Sequence, residues 1–274
     1  MTHDFLTLAF MALLGLAIGS FLNVLIYRLP IMIEQSWVAP DAAPAEPLNL
    51  AFPSSHCPHC QHPIAWYDNL PLLGFVLLRG RCRHCATPIS WQYPLVELIT
   101  SGLFVWSGLT HAHWPSALAW SGFSAALLAL AVIDARTTWL PDALTQPLTW
   151  GGLIAAALGW SGVTLVDALW GAVAGYLSLW TVYQVFKRVT GKEGMGYGDF
   201  KLLAALGAWF GWQGLIPVIL LASITGAVIG IGMKLTGNLR EGGYVPFGPF
   251  LALGGAAALA GGVPVFWQAL GLAH

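Results

Sequence analysis

The sequence has 274 residues, of which 57% are hydrophobic and only 8% are charged. Because ordinary soluble domains carry about 25% charged residues, this composition excludes a typical soluble globule and favours an integral membrane protein. The formal net charge of −1 supplies no positive field for phosphates, so nucleic acid is not an expected partner. Membrane lipid is expected to surround the chain instead.

The first apolar run, from Phe5 to Ile26, is predicted to be a retained membrane span. A secretory signal carries its positive charge before the apolar run and a small-residue cleavage site after it. Here Asp4 precedes the run and Arg28 follows it. The charges are therefore in the wrong order for a signal peptide.

Eight apolar stretches are candidates for transmembrane helices. They lie at residues 5–27, 94–110, 115–133, 143–160, 165–186, 200–212, 214–235 and 247–271. We therefore expect an all-α integral membrane protein with about eight transmembrane helices and no internal repeat. The expected divisions are a first transmembrane helix over residues 1–28, a loop over 29–93 and a transmembrane core of about seven helices over 94–274.

The basic residues predict the orientation of these spans. If the N-terminus lies outside, all eleven Lys and Arg fall on the inner side or at the inner ends of helices. Since Lys and Arg concentrate on the cytoplasmic side of a membrane, both termini are expected to be periplasmic and the loop over 29–93 cytoplasmic. Within that loop, residues 40–47 are rich in Pro and Ala and predict a flexible linker.

The same loop contains two Cys-x-x-Cys pairs with 21 residues between them. The four cysteines are Cys57, Cys60, Cys82 and Cys85. This spacing is close to that of pairs that close a tetrahedral zinc site, and four thiolates leave no open position for a catalytic water. A structural zinc site is therefore predicted, with disulfides or a redox pair as the alternatives that a reducing cytoplasm disfavours.

Histidines lie beside the cysteine pairs, and each could replace a cysteine as a ligand. Because four cysteines leave no vacancy, we expect these histidines to be solvated: His56, His59, His62 and His84. The segment from Leu70 to Leu78 is apolar but too short to cross a membrane. It is expected to lie against the membrane or to pack under the metal site.

Five of the twelve acidic residues lie in or beside the predicted spans, where ionisable groups are costly and function is the first hypothesis. They are Glu97, Asp134, Asp142, Asp167 and Asp199. Asp167 begins its helix, where an acid complements the helix dipole, so a structural role is expected. Glu97 is also expected to be structural, paired with an arginine of the cysteine loop.

Asp134 and Asp199 both come to the inner ends of predicted helices. Asp199 follows a glycine-rich segment and precedes an apolar helix, so it could simply be an N-cap. The length of the helix argues against that: twelve residues separate Asp199 from a turn at Gly211, which is about 18 Å of helix. Asp199 would then lie below the membrane surface, in a cavity that contains water and irregular backbone.

Two carboxyl groups brought together can hydrolyse a peptide bond. The ionised member activates water and the protonated member polarises the carbonyl, and the pair titrates as one coupled unit. The sequence has no His-Glu-x-x-His motif and no nucleophilic Ser or Cys with a His nearby on the inner face. A proton-coupled transporter and a non-catalytic scaffold held together by zinc are the alternatives, although no paired interrupted helices support the transporter.

Several motifs, spread over most of the chain, are jointly specific. They are Gly19-Ser-Phe-Leu-Asn-Val-Leu-Ile-Tyr-Arg28-Leu-Pro30, the two cysteine pairs with Asp68-Asn-Leu-Pro71 between them, Tyr93-Pro-Leu-Val-Glu97, Ile133-Asp134, Leu140-Pro-Asp142, Gly196-Tyr-Gly198-Asp199-Phe-Lys201 and Pro246-Phe-Gly-Pro249. With these motifs the chain resembles the bacterial type IV prepilin peptidases, also called leader peptidase and N-methyltransferase. Gln92 departs from the family pattern, which has a basic residue at that place.

The resemblance implies a site and an activity. Asp134 and Asp199 match the catalytic pair, the second within the Gly-x-Gly-Asp signature, and the implied supporting residues are Asp142, Gly196, Gly198 and Lys201. The family cleaves a short basic leader from prepilins or pseudopilins at the cytoplasmic face of the inner membrane. The cut falls after a glycine and before a usually aromatic residue.

Many family members then methylate the new N-terminus with S-adenosylmethionine, and these are the members that keep the cysteine loop, as this chain does. No glycine-rich nucleotide fingerprint locates a site for the methyl donor. Methyltransferase activity is therefore implied by the resemblance alone, and a peptidase without it is the alternative.

Overall fold

A computed structural model describes residues 5–38, 48–237 and 245–269 of the chain. The described residues form nine helices, with two isolated β-bridges in the cysteine loop. The helices are α1 Phe5–Val38, α2 Leu73–Leu77, α3 Gln92–Thr110, α4 Trp114–Thr137, α5 Asp142–Ala157, α6 Leu165–Thr190, α7 Tyr197–Leu235, α8 Gly248–Gly261 and α9 Val263–Ala269. The all-α prediction is confirmed, while the linker predicted over residues 40–47 lies outside the described residues.

Among the described residues, four helices are long and apolar enough to cross a membrane, namely α1, α4, α6 and α7. The apolar helix α8 is shorter, with 14 residues. Helix α5 has 16 residues, or about 24 Å of helix against about 30 Å of hydrocarbon. A membrane-spanning helical protein is therefore supported, and the count of eight spans stays a prediction.

The helix boundaries agree with the predicted spans in one place and differ in two others. The turn predicted at Gly211 is present, because the backbone of α7 breaks there with φ 72° and ψ 174°, a conformation that favours glycine. The C-terminal helix predicted over 247–271 is instead two helices, since Gly262 has φ 72° and ends α8. The first helix runs past its predicted end at residue 27 to Val38, with Pro30 inside it.

The chain divides into two compact units, residues 1–125 and 126–274. In the first unit α1 packs closely on α3, because Gly15 and Gly19 of α1 face the backbone of Ser101 and Glu97. The Ser101 hydroxyl donates a hydrogen bond to the carbonyl of Ala12 over 3.0 Å. Small residues that allow close backbone approach are the usual basis of helix packing in membranes.

In the second unit, the first half of α7 is the core. Nearly every residue from 199 to 211 is buried, as expected for a helix that is apolar on all sides, and it packs against α5, α6 and α8. Gly207 of α7 and Gly171 of α6 meet through their backbones, while Gly152 of α5 faces Ala208. The Trp209 indole donates a hydrogen bond to the carbonyl of Leu148 over 2.8 Å.

We expect Gly207→Ala to lower the thermal stability of the second unit, because its Cβ would overlap the backbone of Gly171. Overpacking of this kind costs about 1–3 kcal/mol. Thermal unfolding in detergent would measure it, with Gly151→Ala as the matched control because its Cβ would meet only the Trp209 ring at 3.7 Å. Equal unfolding temperatures for the two variants would contradict the packing described.

Candidate active site and candidate metal site

The two cysteine pairs lie in two copies of one turn, related by 25 positions in the chain. Bridges join His56 to Pro63 and Arg81 to Pro88. In both copies the backbone N–H of the first cysteine donates to the carbonyl of the residue five positions on. The carbonyl of the same cysteine accepts a hydrogen bond from the N–H of the residue four positions on. That fourth residue has positive φ in both, 58° at Gln61 and 57° at Ala86. The expectation of no internal repeat is therefore wrong for this loop.

The cysteine cluster fits a tetrahedral metal. The four Sγ atoms all lie within 4.8 Å of one another, and the Sγ atoms of Cys57 and Cys85 are 3.8 Å apart. A Zn–S distance of about 2.3 Å in a tetrahedron requires S···S separations of about 3.8 Å. The four cysteines could therefore bind a metal ion, and no disulfide joins them.

Local donors favour the thiolate at two of the four cysteines, Cys57 and Cys85, whereas burial and the neighbouring cysteines raise the pKa of Cys60 to about 11. The hydroxyl of Thr87, 3.3 Å from the Cys85 Sγ, and then the backbone of Thr87 lower the pKa of Cys85 to about 6. Backbone N–H groups of Cys60 and His59 lower the pKa of Cys57. Since metals bind the thiolate, these donors prepare the site for a cation. The clustered set contains none of the histidines, and the rings of His62 and His84 instead contact each other at 3.5 Å between centroids.

Buried polar contacts attach the loop to the helices of the first unit. Arg28 donates to the carbonyls of Asn49 and Pro53 over 2.9 and 2.7 Å. The buried Glu97 carboxylate accepts a hydrogen bond from the backbone N–H of Leu72 over 2.8 Å. The structural role expected for Glu97 fits this contact, but within the described part of the chain no arginine pairs with it, so the predicted partner is wrong.

The apolar segment from Leu70 to Leu78 contains the short helix α2. Its side chains Leu73, Val76 and Leu77 are largely exposed, while the ring of Phe75 lies 5.0 Å from that of Trp91. An exposed apolar surface on so short a helix agrees with a position against the membrane.

Asp134 lies in the last turn and a half of α4 and is only 4% exposed. The backbone N–H of Gly248, the first residue of α8, donates a hydrogen bond to its Oδ2 over 2.9 Å. The residues that follow Asp134, Ala135 and Arg136, are exposed. The carboxyl group therefore lies at the boundary between the buried core and the exposed end of the helix.

Asp199 is the third residue of α7 and is 7% exposed. The N-cap position is taken by Gly196, not by Asp199, so the N-cap alternative is wrong. Its carboxylate reaches back to the backbone of Gly196 and interacts electrostatically with Asp134. Two buried acids from different helices therefore lie within interaction range of each other.

Gly248 and Leu140 lie beside Asp134, and Gly198 packs against Leu140. A Cβ on Gly248 would lie 2.6 Å from Oδ2 of Asp134 and 3.1 Å from Cδ1 of Leu140, and a Cβ on Gly198 would lie 2.6 Å from Cβ of Leu140. Leu140 and Gly248 were not identified from the sequence as site residues, although both lie in motifs that the sequence had singled out. Their proximity to Asp134 depends on tertiary packing that no local pattern shows.

Lys201 and Asp142, which follow Asp199 and Asp134 closely in the sequence, form an ion pair with each other. The Lys201 Nζ donates to both carboxylate oxygens of Asp142 over 2.6 and 2.7 Å. The Asp142 side chain is 61% exposed and that of Lys201 27%. The pair connects the start of α5 to the first turns of α7, two residues from Asp199.

Asp167 has the structural surroundings that were expected. It accepts a hydrogen bond from the Thr164 hydroxyl over 2.6 Å and its backbone N–H donates to that hydroxyl over 3.1 Å. The Trp212 indole also donates to it over 3.1 Å. Thr164 therefore caps α6, and Asp167 orients the capping hydroxyl and joins α6 to the residue after the break at Gly211.

Comparison with known proteins identifies the family. Residues 13–111 match the bacterial Peptidase A24 N-terminal domain, and residues 121–231 match the type IV leader peptidase family. The chain belongs to this family of membrane peptidases, as the sequence motifs had indicated.

Named relatives cover nearly the whole chain. A prepilin leader peptidase/N-methyltransferase of Aeromonas hydrophila is 52% identical over 256 residues, covering 90% of this chain and 88% of the relative. One of Burkholderia pseudomallei is 47% identical over 270 residues, covering 94% and 87%. One of Klebsiella pneumoniae is 54% identical over 221 residues, covering 81% and 92%. No solved structure matches the chain.

A testable consequence concerns the ion pair between Asp68 and Arg83, whose guanidinium donates to both carboxylate oxygens over 2.7 and 2.5 Å. Arg83 lowers the pKa of Asp68, mainly through these hydrogen bonds. The stabilisation is therefore complete above the ordinary Asp pKa of 3.8 and is lost as the pH falls below it.

We expect Arg83→Gln to speed hydrogen exchange across residues 65–85 at neutral pH. The difference from the unmodified chain should shrink as the pH falls toward about 3. Arg79→Gln is the control, because Arg79 is exposed in the same loop and forms no ion pair with another residue that the structure describes. The same exchange rates in all three proteins would show that the ion pair does not hold the loop.

Proposed function

We propose that this chain cleaves the leader peptide of prepilins or pseudopilins with Asp134 and Asp199 as its catalytic pair. The observation that carries the proposal is the meeting of two buried, electrostatically interacting carboxyl groups from α4 and α7. The membership of the type IV leader peptidase family and the names of the relatives support it.

In the proposed reaction, the ionised carboxylate takes a proton from water, which then attacks the scissile carbonyl. The protonated member donates a hydrogen bond to the carbonyl oxygen as negative charge develops there. Asp142, Lys201, Gly196 and Gly198 are proposed as supporting residues. The ion pair of Asp142 with Lys201 fixes the start of α5 against α7, and the two glycines leave room for the substrate chain beside Asp199. When the tetrahedral intermediate collapses and the C–N bond breaks, the leaving amine takes the proton that the first carboxylate received from water, so both acids return to their starting protonation states.

The site would act at the cytoplasmic edge of the bacterial inner membrane. Asp134 is followed by the exposed Ala135, and Asp199 comes two residues after the exposed Tyr197. All Lys and Arg group on the side proposed to be cytoplasmic. We therefore propose about eight spans, periplasmic termini, a cytoplasmic cysteine loop over 29–93 and a peptidase core over 94–274. A substrate whose basic leader stays in the cytoplasm would present its cleavage site at this level.

We further propose that the cysteine loop holds structural zinc and that the enzyme N-methylates the cleaved substrate with S-adenosylmethionine. The separation of 3.8 Å between the Sγ atoms of Cys57 and Cys85 supports zinc, which when bound would fix a loop too small to form its own core. The methyl donor is supported by the names of the relatives, which include N-methyltransferase. A proton-coupled transporter would use the same buried acids without cleaving a peptide.

Asp134→Asn and Asp199→Asn should each abolish prepilin cleavage in detergent, by a factor of about 10³ or more, because each removes one half of the acid–base pair. Glu34→Gln is the matched control, since Glu34 is an exposed acid on α1, and it should cleave normally. Retained cleavage in either aspartate variant would contradict the two-aspartate mechanism.

Metal analysis of the purified protein should find about one zinc per chain, the number that four cysteines can bind. Cys82→Ser should lose the zinc and reduce loop stability or methylation more than cleavage, whereas His84→Ala should keep the metal. Zinc that is retained by Cys82→Ser but lost by His84→Ala would show that the proposed set of four cysteine ligands is wrong. A loss of cleavage with methylation intact would contradict the structural role.

Methylation is measured separately, with processed substrate and labelled S-adenosylmethionine. The label should appear on the new N-terminal residue, and Asp134→Asn should still methylate substrate that was cut beforehand. The absence of label on the mature N-terminus would leave the chain as a peptidase alone.

A further inference from the structure

The Pro246-Phe-Gly-Pro249 motif brings the start of α8 onto Asp134. Gly248 is the first residue of this 14-residue helix, and an N–H at that position has no partner within the helix. It is buried and points at the Asp134 carboxylate, 2.9 Å from Oδ2. The partial positive charge of a helix N-terminus favours a negative charge at this place.

We propose that Gly248 is a positioning residue that holds Asp134 as the ionised member of the catalytic pair. Its backbone N–H orients the carboxylate, and its lack of a side chain leaves the space that the carboxylate fills. This inference rests on the proposed function and assigns its two acids different roles, with Asp199 as the protonated member.

The surroundings of the two acids differ in the way that the assignment needs. The donor to Asp134 is buried, and a hydrogen bond to a charged group strengthens where water is excluded. The backbone group facing Asp199 belongs to Gly196, which is exposed to solvent. Of the two carboxylates, Asp134 therefore has the donor that is better shielded from competition by water.

The other titratable groups on the surrounding helices do not replace this donor. Asp199 on α7 interacts with Asp134 as a like charge, and Lys201 on α7 is bound by both oxygens of Asp142 on α5. Arg136 on α4 is exposed. Helix α8 itself contains no titratable residue.

The space at Gly248 makes the proposal specific to glycine. A Cβ there would lie 2.6 Å from Oδ2 and 3.0 Å from Cγ of Asp134, too close for either atom to stay in place. The φ angle of Gly248 is not positive, so its backbone conformation does not itself require glycine. The adjacent carboxylate is what excludes a side chain.

The test compares three glycine variants on the same helix, in the full chain in detergent. Gly248→Ala displaces the Asp134 carboxylate, Gly254→Ala meets the carbonyl of Val218 at 2.7 Å, and Gly261→Ala meets no atom within 4 Å. The substrate is a synthetic peptide with a basic leader, a glycine, a phenylalanine and an apolar helix. The rate of cleavage at low substrate concentration is measured across pH, and thermal unfolding is measured in parallel.

Gly248→Ala is expected to lower kcat/KM about 10- to 100-fold, because a small misplacement of a reacting group is costly. It should also move the acidic limb of the pH–rate profile upward by about one unit, since an ionised carboxylate loses its donor. Gly254→Ala should lower stability while leaving that limb in place, and Gly261→Ala should match the unmodified chain. An unmoved acidic limb in Gly248→Ala, or a shift confined to the alkaline limb, would overturn the proposal.

A stability measurement covers the case in which Gly248→Ala folds poorly. Asp134→Ala removes both atoms that the new Cβ would strike, so Gly248→Ala should lower the unfolding temperature less in the Asp134→Ala background than alone. Equal losses in both backgrounds would overturn the steric part of the proposal. Cleavage retained by Asp134→Asn would instead reject the proposed function, which separates the two failures.

Discussion

The arrangement of the second unit depends on the burial of two carboxyl groups. Removing a carboxylate from water costs several kcal/mol unless donors replace the water, and the structure supplies those donors from the backbone at the ends of helices. The N–H of Gly248 reaches Asp134, and the backbone of Gly196 faces Asp199. Backbone donors at fixed helix ends therefore help to hold the two carboxyl groups in place.

The position of Asp199 within the second unit follows from the packing of α7. The break at Gly211 ends its first half, and Asp167 of α6 accepts a hydrogen bond from Trp212 just after that break. The backbone contact of Gly171 with Gly207 then fixes the position of α7 along α6. Because the helix is rigid between these points, the same contacts that stabilise the core also determine where the Asp199 carboxyl group lies.

The first unit solves a different problem, which is to order a polar loop that has little core of its own. Its two matching turns bring four sulfur atoms together, and Arg28 and Glu97 attach the loop to α1 and α3 through backbone groups. The duplication is also readable in the sequence, since Cys57-x-His-Cys-x-x-Pro-Ile-x-Trp66 recurs as Cys82-x-His-Cys-x-x-Pro-Ile-x-Trp91, although only the cysteine spacing was used to predict the site. The fold class and the turn at Gly211 could be predicted, since composition and glycine are local signals. The role of Gly248 and the partner of Glu97 could not, because both depend on which residues tertiary packing brings together.

The most direct test of the central claim is a structure of the full chain with an uncleavable leader peptide bound. The account predicts that the scissile carbonyl lies between Asp134 and Asp199, with carboxyl oxygens of both within about 3–3.5 Å of the reacting atoms or of one bridging water. A scissile bond bound elsewhere, for example beside Asp142 and Lys201 and out of reach of the two buried acids, would contradict it.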